Sequence, residues 1–143
     1  METTFNLNRY VSAQEDTYNE ALAEIKNGKK VSHWMWFIFP QIAGLGFTDY
    51  NVFYAINNLK EANEYLNHPV LGKRLIEISN ALLNIEGKTA VEIFGKPDER
   101  KLKSCMTLFN LLDYPNPIFQ EVLNKYFQGA ADEKTLELLN MQL

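Results

Sequence analysis

The chain has 143 residues, 14 of them Lys or Arg and 18 Asp or Glu, which gives a formal net charge of −4. A domain of this length buries about 68–70% of its unfolded surface, so neither a disulfide nor a metal is needed to hold it, and an acidic balance disfavours general attraction to a nucleic-acid backbone. The lone Cys105 and the lack of an export-type leader at Met1 to Thr4 suit a cytoplasmic protein, and no apolar run approaches the roughly 20 residues that cross a bilayer.

No repeat, low-complexity stretch or Pro/Gly/Ser-rich linker divides the sequence, so residues 1–143 are expected to form one all-α domain, a compact bundle of about six to eight short and medium helices. Arg9 and Tyr10 fall on a short helix near the N-terminus. Tyr18, Ala21, Leu22 and Ile25 follow the i, i+3, i+4, i+7 spacing, and Asn27-Gly28 supplies a left-handed stop. The run from Trp34 to Phe39 is continuously apolar, and periodicity does not separate a buried strand from a buried helix there. A helix is the expectation, because an isolated strand leaves its backbone groups unpaired. Gly44 and Gly46 make a bend after it.

His68 precedes Pro69 and caps a helix whose face carries Leu71, Leu75, Ile78, Leu82 and Ile85 as far as Gly87. Thr89 and Glu92 have capping-box spacing for a short helix that closes at Gly95. After Pro97-Asp98, the stripe Leu102, Cys105, Met106, Phe109 and Leu112 marks the next helix, with Asp98 and Glu99 complementing the dipole at its start. Asn116-Pro117 opens another helix containing Phe119, Val122, Leu123 and Tyr126, and Asp132 caps a last one through Leu136 and Leu139.

The chemistry concentrates in one place. Between Val31 and Leu59 the only formal charge is Asp49, and eight of the eighteen aromatic residues lie between His33 and Tyr54. Such clustering builds either a core spine or the wall of an aromatic pocket. His33, next to Lys29, Lys30 and Ser32, is the candidate acid or base; the alternative is a His that satisfies backbone groups. Trp34 and Trp36 are two apart and point to different sides of a helix, so one anchors the core while the other could stack on a ligand ring. Gln41 either reads a polar edge or fixes the turn after Pro40.

Arg100, Lys103, Ser104 and Thr107 share a helix face that could hold an anion, although Ser and Thr there can also bond their own i−4 carbonyls. Arg9 is a further cation that folding could bring to the site. The candidate site is therefore His33 as catalytic residue, with Arg9, Ser32, Trp34, Trp36, Gln41, Lys103, Ser104 and Thr107 as ligand-binding residues. Two His and one Cys, with no paired metal-ligand spacing, make a metal site improbable, and no dinucleotide, phosphate-loop or nucleophile-elbow motif is found, so no cofactor is expected.

Four strings carry a resemblance: Ser32 through Gln41, His68-Pro69-Val70-Leu71-Gly72, Ile93-Phe94-Gly95 followed by Pro97-Asp98, and Ser104 with Met106-Thr107-Leu108-Phe109. Together, and over nearly the whole chain, they resemble a bacterial domain-of-unknown-function family, number eighteen-ten, that includes a mycobacterial protein. The resemblance implies a compact all-α fold and no established activity. The calpastatin label sometimes attached to such proteins does not suit this sequence, since calpastatin is disordered and this chain has a hydrophobic core. Glu99 and Cys105 stand where an Asp and a Ser are common in the family.

The function expected from these residues is binding of a small anionic, ring-containing, nucleotide-like ligand in an aromatic pocket, with hydrolysis or group transfer through His33 if the protein is an enzyme. The alternative is a non-catalytic interaction module or a homodimer, with Phe47, Tyr50 and Phe53 on the contact face. Neither general nucleic-acid binding nor a membrane is expected.

Overall fold

The computed structural model describes residues 5–142. The opening Met1 to Thr4, read above for export signals, lie outside them. Among the described residues there are ten α-helices and no strand, only an isolated parallel bridge between Ile42 and Ile56. The all-α class stands, and the helix count exceeds the six to eight expected from pattern.

The first helices are α1 (Asn8–Glu15), α2 (Tyr18–Lys26) and α3 (Met35–Ile38). Gly28, at φ 81°, stops α2 as the Asn-Gly pair predicts. The Trp34–Phe39 run thus resolves as one helical turn, cut off before Pro40. Two helices not expected from the sequence follow, α4 (Asp49–Phe53) and α5 (Leu59–Asn67). No residue of α4 is buried, so it has no apolar stripe to read; the side chain of Thr48 caps it by accepting from the Asn51 N–H. On α5 the buried residues are Glu61, Ala62 and Tyr65, and Leu59, Ala62, Tyr65 and Leu66 repeat at helical spacing behind the Asn58 cap.

The second half follows the sequence closely. Helix α6 (Leu71–Leu83) starts two residues after Pro69, and the Nδ1 of His68 accepts hydrogen bonds from the N–H groups of Val70 and Leu71. At the α5–α6 corner the backbones approach so closely that a Cβ on Gly72 would sit 1.8 Å from the Leu66 carbonyl oxygen. Only glycine fits there. Helix α7 (Ala90–Phe94) has the full capping box of Thr89 and Glu92, α8 spans Asp98–Asn110 after a cis Lys96–Pro97 peptide, α9 (Pro117–Phe127) is capped by Asn116, and α10 (Glu133–Asn140) by Asp132.

Helix α8 is the axle of the fold and packs against α5, α7, α9 and α10. Seven of its residues outside the first turn, Leu102 and Ser104 through Phe109, are buried. Phe109 joins Tyr65 of α5 and Phe119 of α9 through ring contacts of 5.5 and 5.7 Å. Cys105 lies in the same core, and burial pushes its thiol well above the usual range. Trp34 and Phe39 each make a T-shaped contact with Phe94 in the same core.

Candidate functional site

The segment after α2 is shaped by one carboxylate. Glu24 Oε1 accepts from the Val31 N–H at 2.7 Å, the Ser32 N–H at 2.9 Å and the Trp34 indole Nε1–H at 2.9 Å. Burial raises the Glu24 pKa, but the hydrogen bonds from Ser32, Val31 and Trp34 outweigh it and bring the group to about 2. Held in this way, Trp34 is fully buried. It is a core anchor, out of reach of any ligand, which corrects its place among the candidate stacking residues. The Ser32 hydroxyl donates to Glu20 Oε1 at 2.7 Å.

Trp36 points the other way, as the two-residue spacing requires, and is half-buried at the surface. Each indole is covered by a lysine: Lys30 Nζ lies 5.1 Å from the Trp34 ring and Lys101 Nζ 5.3 Å from the Trp36 ring. Both ammonium groups pair with Asp98, at 3.0 and 3.2 Å. Asp98 therefore does more than complement a helix dipole; it ties the aromatic segment to the start of α8.

Two depressions meet beside Trp36 and share Gln41, Leu45, Gly46 and Asn51 in their walls. The inner one, against Trp36, Tyr50 and Tyr54, has a free volume of only about 20 Å³, room for one water. Its rings fill it themselves, with Trp36 and Tyr50 at 5.0 Å. The outer one has about 360 Å³ and is bounded by Arg100, Lys101, Ser104, Asp132 and Lys134. That is the size of a small-molecule site. Three cations face one carboxylate in it, and Asp132 is engaged as the cap of α10, accepting from the Thr135 N–H and hydroxyl.

Two groups in this cleft are free among the described residues. The Arg100 side chain is exposed and has no partner, and the half-buried Gln41 side-chain amide has none either; the Gln41 backbone carbonyl accepts from the Ile56 N–H at 2.8 Å. Lys101 is held by Asp98, and Lys134 lies 3.9 Å from Glu137 on an exposed surface where such a pair is weak.

Of the candidate ligand-binding residues, the fold brings Trp36, Gln41 and Ser104 to these adjoining depressions, together with Arg100 from the helix face that Ser104 shares. It takes the others elsewhere. His33 is exposed and lines neither depression. Arg9 pairs with Glu61 at 3.0 Å and donates to the carbonyl oxygens of Asn6, Phe53 and Ala55, so its donors are used inside the fold. Thr107 donates to the Lys103 carbonyl and accepts from the Asp132 N–H, Ser104 donates to the Arg100 carbonyl, and Lys103 lies over the Phe127 ring, away from the cleft. The two hydroxyls thus make the i−4 bonds that were the plainer alternative. Sequence reasoning missed Lys101, Asn51, Asp132 and Lys134 as wall residues. The Trp36–Lys101 contact joins residues far apart in sequence, and no local pattern announces it.

Among the described residues no three His, Cys, Asp or Glu side chains gather as a metal site, and no helix is long and apolar enough to cross a membrane.

Residues 4–139 match the model of a family described as a protein of unknown function (DUF1810), and the chain belongs to that family. Its fold is similar to that of the conserved hypothetical protein Rv1873 from Mycobacterium tuberculosis, with a TM-score of 0.94 and 43% identity over 96% of this chain and 99% of that one. No curated protein matches it.

Proposed function

We propose that the chain binds a small anionic, ring-containing ligand of nucleotide type in the cleft between the 41–51 loop and helices α8 and α10. The observation that carries this reading is the unpaired Arg100 guanidinium on a cleft of about 360 Å³ whose cations outnumber its carboxylates. A guanidinium takes phosphate or carboxylate oxygens through two parallel hydrogen bonds. The free Gln41 amide, which has both donor and acceptor atoms, is suited to a polar edge of the same ligand. Support for a ring comes from the Trp36–Tyr50 pair at the cleft's inner rim.

The reading is one of binding without an assigned reaction. The Ser104 hydroxyl is spent on a backbone carbonyl, and the exposed His33 lines neither depression, so neither is offered as nucleophile or base. The test is a thermal-shift series with AMP, ADP, ribose 5-phosphate and inorganic phosphate on the wild type, Arg100→Ala and His33→Ala. A ligand at 100 times its dissociation constant adds about 2.7 kcal/mol, a shift of roughly 6–10 °C in this size range. Arg100→Ala is expected to fold within about 0.5 kcal/mol of wild type, as an exposed side chain does, and to lose the shift. His33→Ala should keep it. Silence with every probe, or an equal shift in Arg100→Ala, overturns the reading.

A further inference from the structure

The inner depression leaves no room for a ring: about 20 Å³ lies beside Trp36, Tyr50 and Tyr54. A ligand ring that stacks on this aromatic cluster therefore has to lie against its outside. That outside is α4. Tyr50 is 60% exposed, Val52 62% and Phe53 54%, and the preceding Phe47 is 84% exposed. Tyr50 and Phe53 are three residues apart and Tyr54 one further, so the three rings share a flank. Tyr50 and Tyr54 are near parallel, 18° apart in tilt with centroids 6.4 Å apart, and Phe53 meets Tyr54 edge-on at 4.8 Å. An open depression of about 520 Å³ lies on this side, lined by Asp49, Tyr50, Val52, Phe53 and Tyr54.

We propose that this outer face of α4 is a stacking platform for the base of a nucleoside monophosphate whose phosphate sits at Arg100; this rests on the reading of the basic cleft given above. The reach is short. Contacts of 5.0 and 5.3 Å lead from the Tyr50 ring through Trp36 to Lys101 Nζ, which is already on the cleft wall. The division of charge fits such a ligand, since the platform carries only Asp49 while the cleft is basic. A net charge of −4 argues for one phosphate in place of a polyanion. A second copy of the chain is less well matched. At about 200 Å² per aromatic side chain, the exposed parts of Phe47, Tyr50 and Phe53 offer roughly 400 Å², half of what each partner in a stable dimer contributes.

The test compares AMP with ribose 5-phosphate by calorimetric titration on the wild type, Tyr50→Ser, Phe53→Ser and Arg100→Ala. Base stacking on an aromatic side chain predicts that wild type binds AMP about 5- to 150-fold more tightly than ribose 5-phosphate. Tyr50→Ser and Phe53→Ser should each narrow that ratio and leave ribose 5-phosphate unchanged, whereas Arg100→Ala should weaken both probes. Equal affinities in the wild type overturn the platform and leave the cleft reading standing. If neither probe binds, both readings fall. A concentration-dependent dimer that Phe53→Ser dissolves overturns the platform in favour of a second copy.

Discussion

Arg9 offers the sharpest separation of a structural from a functional cation. Its guanidinium lies 3.0 Å from Glu61 Oε2, with the two side chains only 8% and 0% exposed. Glu61 Oε1 is committed to the backbone and side-chain N–H groups of Asn57, so the ion pair with Arg9 is what compensates Oε2, which makes no hydrogen bond of good angle. Arg9→Met keeps most of the stem and removes the charge, leaving a buried carboxylate without a cation. Breaking a buried pair from one side costs about 3–5 kcal/mol. The lost bonds to Phe53, Ala55 and Asn6 belong to the same unit and are not added separately. For a chain of this length the loss lowers the melting midpoint by roughly 10–15 °C.

The assay is urea unfolding followed by circular dichroism on the wild type, Arg9→Met, Glu61→Gln and the double variant. The double variant should recover part of the loss, since no uncompensated charge remains. If Arg9→Met unfolds within about 0.5 kcal/mol of wild type while AMP binding disappears, Arg9 is a ligand group and the reasoning from burial is wrong.

Two further outcomes follow from titration and burial. Glu24 titrates near 2 in the folded protein against an ordinary value of about 4.3 in the unfolded chain, so the unfolded chain takes the proton first as pH falls. Its contribution is whole above about pH 5 and is lost between about pH 5 and 2. Solvent screening at this half-open position holds it to about 1 kcal/mol, and Glu24→Gln should flatten that part of the stability profile; an unchanged profile would remove Glu24 as the organiser of the turn. Cys105, fully buried and with its thiol pushed up, should resist a chromogenic thiol reagent in native buffer and react at once in denaturant. Rapid labelling of the native protein would contradict the packing of α8.

The helices that the sequence revealed were those with a long apolar stripe or a recognisable cap or stop signal at an end. Helices α6, α8 and α9 carry such stripes even though α6 also buries Ser79 and α8 buries Ser104 and Thr107, the Asn27-Gly28 stop marked the end of α2, and Thr89–Glu92 marked the five-residue α7 despite its length. Helix α4 buries nothing and has no period to detect, whereas α5 repeats Leu59, Ala62, Tyr65 and Leu66 at helical spacing behind an Asn58 cap, a signal the sequence did carry. All four strings behind the family resemblance have structural duties on the page: Glu24 holds Ser32 and Trp34, His68 and Gly72 build the α5–α6 corner, Gly95, at φ 74°, ends α7, and Thr107 and Phe109 tie α8 to Asp132 and to the rings of Tyr65 and Phe119. A string rich in rare residues marks a demanding local geometry, and such geometry is needed for packing as much as for chemistry.

The site residues were harder to read for a different reason: a sequence displays charges but not which of them are already paired. Arg9 looked available and is locked to Glu61, 52 positions away; of the two cations on the α8 face that could hold an anion, Lys103 turns to the Phe127 ring and Arg100 is the unpaired one on the cleft. The same holds for the aromatic residues. Trp34 and Trp36 are chemically identical and two positions apart, yet a carboxylate on α2 draws one into the core while the other closes against Tyr50. What a polar or aromatic side chain can offer a ligand is what remains after the fold has taken its share. At the basic cleft, among the described residues, the remainder is the Arg100 guanidinium and the Gln41 amide, while the exposed rings of α4 line a separate depression.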